Sequence, residues 1–184
     1  MKKFLLSLAM VLGLVSYASA ATISFTMDQV TLKTNGKADN NGNPEIDGFT
    51  YDIIDAVLSK EAGQTAPCYN NSNKDVRVYA DGTLKFSTTD GTILDKIVIT
   101  IPESGNSHKR MAPITASVGN IDFDDSAWIL TWTGSASEVT LTVGNKAEWG
   151  TETTKPGRIV ISAMEVTTGG AGIERSETPV ISPE

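Results

Sequence analysis

The sequence predicts an all-β fold, an antiparallel β-sandwich of jelly-roll type with eight or nine short strands. Three observations lead there. Apolar and β-branched residues alternate with polar ones in short segments, Gly-, Asn- and Asp-containing turns separate those segments, and only one stretch also fits a helical spacing.

Taken in order, the first strand is Ile23 to Met27, which alternates and leads on to Val30 and Leu32. Residues 34–48, TNGKADNNGNPEIDG, then read as a long polar loop. Phe49 to Leu58 is the ambiguous stretch: Phe49, Tyr51, Ile53 and Val57 suit one strand face, while Ile54, Val57, Leu58 and Glu61 suit a helix. Its β-branched and aromatic content favours a strand. Val76, Val78 and Ala80 alternate with Arg77 and Tyr79, and Asp81-Gly82 is a hairpin signal leading into Leu84 and Phe86. After Asp90-Gly91, Ile97, Ile99 and Ile101 oppose Lys96, Val98 and Thr100, so one face of that strand is buried. Ile114 to Val118 is a weak strand, and WILTWTGSASEVTLTV (128–143) reads as a hairpin. A Gly- and Thr-rich loop, 144–157, precedes a last strand from Arg158 to Val166.

The ends are of another kind. Met1-Lys2-Lys3, an apolar run from Phe4 to Val15 and the small-x-small site Ala18-Ser19-Ala20 have the layout of a secretory signal peptide. The run is shorter than the ~20 apolar residues needed to span a bilayer. Cleavage there predicts a chain exported across the inner membrane, secreted or on the cell surface with the periplasm as the other destination, and without a transmembrane segment. The expected organisation is a signal peptide over 1–20, a β-sandwich domain over 21–168 and a flexible tail over 169–184, where Gly, Pro and charge occur without periodicity.

Composition narrows function. The chain carries 15 basic and 22 acidic residues; without residues 1–20, which hold two lysines and no acid, 13 stand against 22, a net −9. Clustered Lys and Arg are what phosphate-backbone binding requires, so nucleic acid is not an expected partner. Cys68 is the single cysteine and forms no disulfide within the chain.

The succession APCYNNSNKDVRVYADGTLKFS (66–87), DKIVITI (95–101), Lys109-Arg110 and WTGSASEVTLTVG (132–144) resembles a secreted β-sandwich domain common in proteins of Bacteroidota. The likeness covers about Ile23 to Val166. It implies a non-enzymatic domain with a sandwich similar to carbohydrate-binding modules, and it carries no catalytic residues to this chain.

The residues themselves give little support to catalysis. A serine or cysteine hydrolase needs a base, normally His. The single histidine, His108, lies in the polar run SGNSHKR (104–110) and reads as a solvated loop residue. A glycoside hydrolase needs two carboxylates across a cleft, which a chain this acidic always offers somewhere. The expectation is therefore a non-catalytic binding module, with glycans as ligand. A structural or adhesive surface protein that binds another protein is the alternative, and a glycoside hydrolase comes third.

Glycan recognition needs aromatic faces and planar polar groups. Trp128 and Trp132 share a strand face with Leu130, as core residues do. Trp149 stands in the polar loop NKAEWGTETTKPG with no periodicity to account for it, and is the first candidate for a stacking platform. Tyr69, in the loop before the VRVYA strand, is the second. Arg77 and Tyr79, on one strand face, together with Asn71 complete the candidate set; core packing of Tyr79 and a carboxylate partner for Arg77 are the other reading. No cofactor is required, but Asp39, Asn41, Asn43 and Asp47 in DNNGNPEID have oxygen ligands at calcium-like spacing. Pro44 where Gly is needed and Thr50 where the bidentate Glu is needed exclude an EF-hand. An irregular calcium loop or a plain polar turn remains. Asp122, Asp124 and Asp125 around Phe123 read as a solvated connection.

Overall fold

The computed structural model describes residues 20–102 and 106–169. The expected signal peptide, apart from Ala20, and the expected tail, apart from Gly169, lie outside the described residues. Fourteen strands follow one another within them. In chain order they are β1 (Ala21–Thr26), β2 (Thr31–Ala38), β3 (Pro44–Tyr51), β4 (Ile54–Ser59), β5 (Cys68–Asn70), β6 (Asp75–Tyr79) and β7 (Thr83–Thr88). The second half adds β8 (Ile93–Thr100), β9 (Ile114–Ala116), β10 (Asn120–Asp124), β11 (Ile129–Ala136), β12 (Glu138–Val143), β13 (Arg158–Ile161) and β14 (Ala163–Gly169). A 3₁₀ turn, His108–Arg110, precedes β9.

All pairing between strands is antiparallel, and it builds two sheets. The five-stranded sheet has the order β1-β14-β8-β11-β10. Its inner face is laid out by register: Phe25, Met164, Ile99, Leu130 and Phe123 form one row across the five strands, and Ile23, Val166, Ile97, Trp132 and Ile121 form the next. Ile97 and Ile99 are buried, as the alternation in β8 predicts. The rows end at the edge strand β10, so Phe123 is an inner-face residue at an open margin and stays half-buried.

The other sheet has nine strands and forks at β3. One edge of β3 pairs with β2; along the other, Gly48 to Tyr51 pair with β4 and Glu45 pairs with Cys68 of β5. From the fork, one branch runs β4-β7-β12-β9 and the other β5-β6-β13. The sheet curls into a half-barrel. Met111, just before β9, bridges to Arg158 at the start of β13, and the Ala112 amide donates to the Arg158 carbonyl at 3.1 Å, so the two ends of the sheet meet.

The core fills the space between the sheets. Phe49 packs edge-on against Phe25 and Phe86, and Tyr51 stacks on Phe25 at 4.5 Å. Burying each phenyl ring contributes on the order of 2–3 kcal/mol.

Several expected elements differ, each for a physical reason. Residues 34–48 are not one loop: β2 continues to Ala38 and β3 begins at Pro44, leaving a tight turn at Asp39–Asn43. β2 is an edge strand in which only Leu32 packs against the core and the residues from Thr34 on are exposed, so it shows no sustained apolar alternation. Phe49 to Leu58 is neither one strand nor a helix; the chain reverses at Asp52, whose φ is +51°, and β3 pairs with β4. The turn at Asp81-Gly82 exists, but β6 and β7 do not pair, and it is a corner between the two branches. Residues 128–143 are not a hairpin: β11 belongs to one sheet and β12 to the other, with Ser137 at the crossing. Arg158 to Val166 breaks at Ser162, where the chain likewise changes sheets. The acidic connection around Phe123 is strand β10.

Candidate functional site

The site forms where the margin of the five-stranded sheet meets the loop between β12 and β13. At the end of β10, Asp124 Oδ1 accepts hydrogen bonds from the Ser126 amide, the Ser126 hydroxyl and the Ala127 amide at 2.9, 2.6 and 3.0 Å. Those bonds, the Ser126 hydroxyl foremost, hold the Asp124 carboxyl below its ordinary range. They also fix the turn that leaves Asp125 in solvent. Trp128 follows with φ at +55°, a left-handed conformation that a bulky side chain rarely adopts.

Trp128 is therefore not the strand residue the alternation predicts. Trp132 is fully buried and donates from Nε1 to the Val118 carbonyl, whereas Trp128 is half-buried and stacks on His108, with centroids 3.7 Å apart and planes 1° from parallel. His108 is correspondingly not a solvated loop residue. Its Nε2 is buried and has no hydrogen-bond partner among the described residues.

The other wall comes from the 144–157 loop, which docks on the 3₁₀ turn. The Trp149 amide donates to the Met111 carbonyl at 3.1 Å, and the Glu152 amide to the Lys109 carbonyl at 2.8 Å. Gly150 permits the approach, since a Cβ there would lie 2.4 Å from the Lys109 carbonyl oxygen and 2.5 Å from that of His108. Trp149 stacks on Phe123 at 4.8 Å with planes 5° apart, and Phe123 meets Trp128 edge-on at 5.8 Å. His108, Trp128, Phe123 and Trp149 thus form one continuous run of rings. At its Trp149 end opens a cleft of about 370 Å³ lined by Phe123, Asp125, Glu148 and Trp149. Two further clefts of similar size, on the face of β1, β8 and β14 and beside Asp81 and Lys146, are not lined by a tryptophan.

Of the candidates named from sequence, Trp149 alone lines this cleft. Tyr69 is in strand β5 rather than a loop and is 7 % exposed. Arg77 pairs with buried Asp75 at 2.7 Å, and the Tyr79 hydroxyl lies 3.5 Å from the Cys68 sulfur. Burial pushes the Tyr79 phenol well up and raises the Cys68 thiol. Beside Tyr79 in register stands Arg158, 9 % exposed, with Nη2 on the Asn106 carbonyl and Nε without a partner among the described residues. Burial, then Arg110 and Arg77, lower its pKa. Asn71 is exposed, and its amide donates to Asn43 Oδ1 at 3.3 Å.

The calcium-like set is divided. Asp39 accepts the Asn41 and Asn43 amides and the Asn43 side-chain amide at 2.8–3.0 Å, and those bonds, the Asn43 side chain first, hold its carboxyl low. Its oxygens stabilise the turn between β2 and β3. Asp47 is on strand β3, where it accepts from Asn35 at 3.4 Å. Among the described residues, no three His, Cys, Asp or Glu side chains converge as a metal site. No helix among them is long and apolar enough to cross a membrane.

Sequence reasoning missed Phe123, Asp125 and Glu148 as site residues. The Ile121–Phe123 alternation inside NIDFD was the available signal, masked by its aspartates.

No protein-family model matches the chain, and no curated protein matches it significantly. What sequence and structure establish together is an all-β protein of two antiparallel sheets, with an aromatic and acidic cleft at the margin of the smaller one.

Proposed function

We propose that the domain is a non-catalytic glycan-binding module, exported to the cell surface or medium, and that it receives sugar in the Trp149 cleft. The observation that carries this reading is the Phe123–Trp149 stack in a cleft whose other lining groups are two solvated carboxylates. Ring walls suit the apolar faces of pyranoses, and carboxylates accept bonds from their hydroxyls. The volume lies within the usual range for small-ligand sites. Two antiparallel sheets around one core are consistent with a jelly-roll-like relative of carbohydrate-binding modules, in keeping with the Bacteroidota-type motifs.

A glycan array probed with wild type and Trp149→Ala tests it. The expected result is binding by wild type that falls at least roughly tenfold on loss of the ring, the scale of one aromatic contact. Binding indifferent to Trp149 would move the site elsewhere. Because Asp125 and Glu148 share the cleft, bound oligosaccharide should also be recovered and sized: intact sugar supports a binding module, and shortened sugar supports a hydrolase. Absence of any glycan binding would favour protein contact through the free edge of β10.

A further inference from the structure

We propose that the cleft prefers sugars bearing a protonated amine over neutral or acidic ones, an inference that rests on the glycan reading of that cleft. Two of its four lining residues, Asp125 and Glu148, are carboxylates exposed to solvent, and neither forms an ion pair among the described residues. No Lys or Arg lines the cleft among the described residues. What separates this pair from ordinary surface acids is the aromatic wall that lines the same cleft. Phe123 and Trp149 are two of the residue types whose π-faces attract a cation, and Trp is the strongest of them.

The chemistry of the groups points the same way. An ionised carboxylate only accepts hydrogen bonds, and an ammonium offers three donors where an N-acetyl amide offers one. Either donor would meet an ionised acceptor, but only the ammonium adds the attraction between two full opposite charges. A uronate or sulfate would instead face two like charges in a molecule whose formal net charge is −7. The cleft's own carboxylates set the preference, and the surrounding field adds only a non-specific attraction.

Calorimetric titration of the full chain decides it, using three β-1,4-linked probes at roughly pH 6, below the range of an α-amino group. These are a fully N-acetylated glucosamine oligomer, its fully deacetylated counterpart and a hexuronate oligomer. Wild type should bind the deacetylated oligomer about tenfold or more tighter than the acetylated one, the scale of one close charge pair in a partly exposed site, and should not bind the uronate. In Asp125→Asn/Glu148→Gln the ratio of the two affinities should fall toward one, whatever each oligomer loses through its hydroxyl contacts. Equal or tighter binding of the acetylated oligomer, or a preference unchanged in the double variant, overturns the inference and leaves the glycan reading standing. If wild type binds neither amine-bearing nor neutral sugar, both fall.

Discussion

Asp75 and Arg158 lie on neighbouring strands, β6 and β13, and face opposite electrostatic situations. Asp75 is 1 % exposed and holds Arg77 through two hydrogen bonds. Arg158, nearly as buried, has two arginines near it and no carboxylate partner among the described residues. Removing one member of a buried pair strands the other, so Asp75→Ala should destabilise by about 2–4 kcal/mol. Replacing an uncompensated guanidinium with an apolar chain of similar length offsets the lost bond to Asn106, so Arg158→Met should stay within about 1 kcal/mol of wild type. Denaturant unfolding checks both, and a large loss for Arg158→Met would refute this view of the cluster. Cys68, Tyr69 and Tyr79 are held above their ordinary pKa values, chiefly by burial. The folded state therefore keeps their protons where the unfolded chain begins to lose them. Their contribution is complete below about pH 8.5, the unfolded thiol value, and is lost as pH rises from there through the phenol range. Melting temperature should fall over that window, and Cys68 should react with a thiol reagent only on unfolding. Of the residues named from sequence, Trp149 is the one that lines the cleft, and it stood out because no periodicity accounted for a tryptophan in a polar loop. Tyr69 was not, because a three-residue strand has no room to display alternation.

Legibility at the level of elements followed burial. β8, with one face buried between β14 and β11, could be read from its isoleucines alone. β2 and β10, edge strands with largely exposed residues, could not, and with β10 went Phe123 of the cleft. Pairing partners were the least legible feature: strands adjacent in sequence, such as β11 and β12, look like a hairpin whether they pair or cross between sheets, since alternation reports a buried face and not which sheet buries it. The β3–β4 hairpin depends on Gly48. Its φ is +154°, and a Cβ there would sit 2.0 Å from the Ala56 carbonyl oxygen. Gly48→Ala should cost about 3 kcal/mol or more, since backbone on both strands would have to move at the fork where both branches of the large sheet begin. A loss under about 1 kcal/mol would show that β3 and β4 are not this closely apposed.

For the molecule as a whole, the two sheets bring a strand edge and a distant loop together at one margin, a placement that no local pattern in the sequence encodes. Acid should weaken the assembly from the turns inward. Hydrogen bonds in their own turns hold Asp39, Asp90 and Asp124 below the ordinary aspartate value. Their contribution is complete above about pH 4 and is lost as pH falls through the lowered values, which acid unfolding of Asp39→Asn beside wild type would reveal as a shallower transition. The central claim is that sugar enters at Trp149, and tryptophan emission reads it directly, because Trp132 is fully buried, Trp128 is stacked on His108 and Trp149 lines the cleft. Titrating wild type and Trp149→Ala with the deacetylated and the acetylated oligomer in turn should give a saturable emission change in the first with at least one of them and in the second with neither; no change in wild type with either oligomer, or the same change in both proteins, would rule out entry at Trp149.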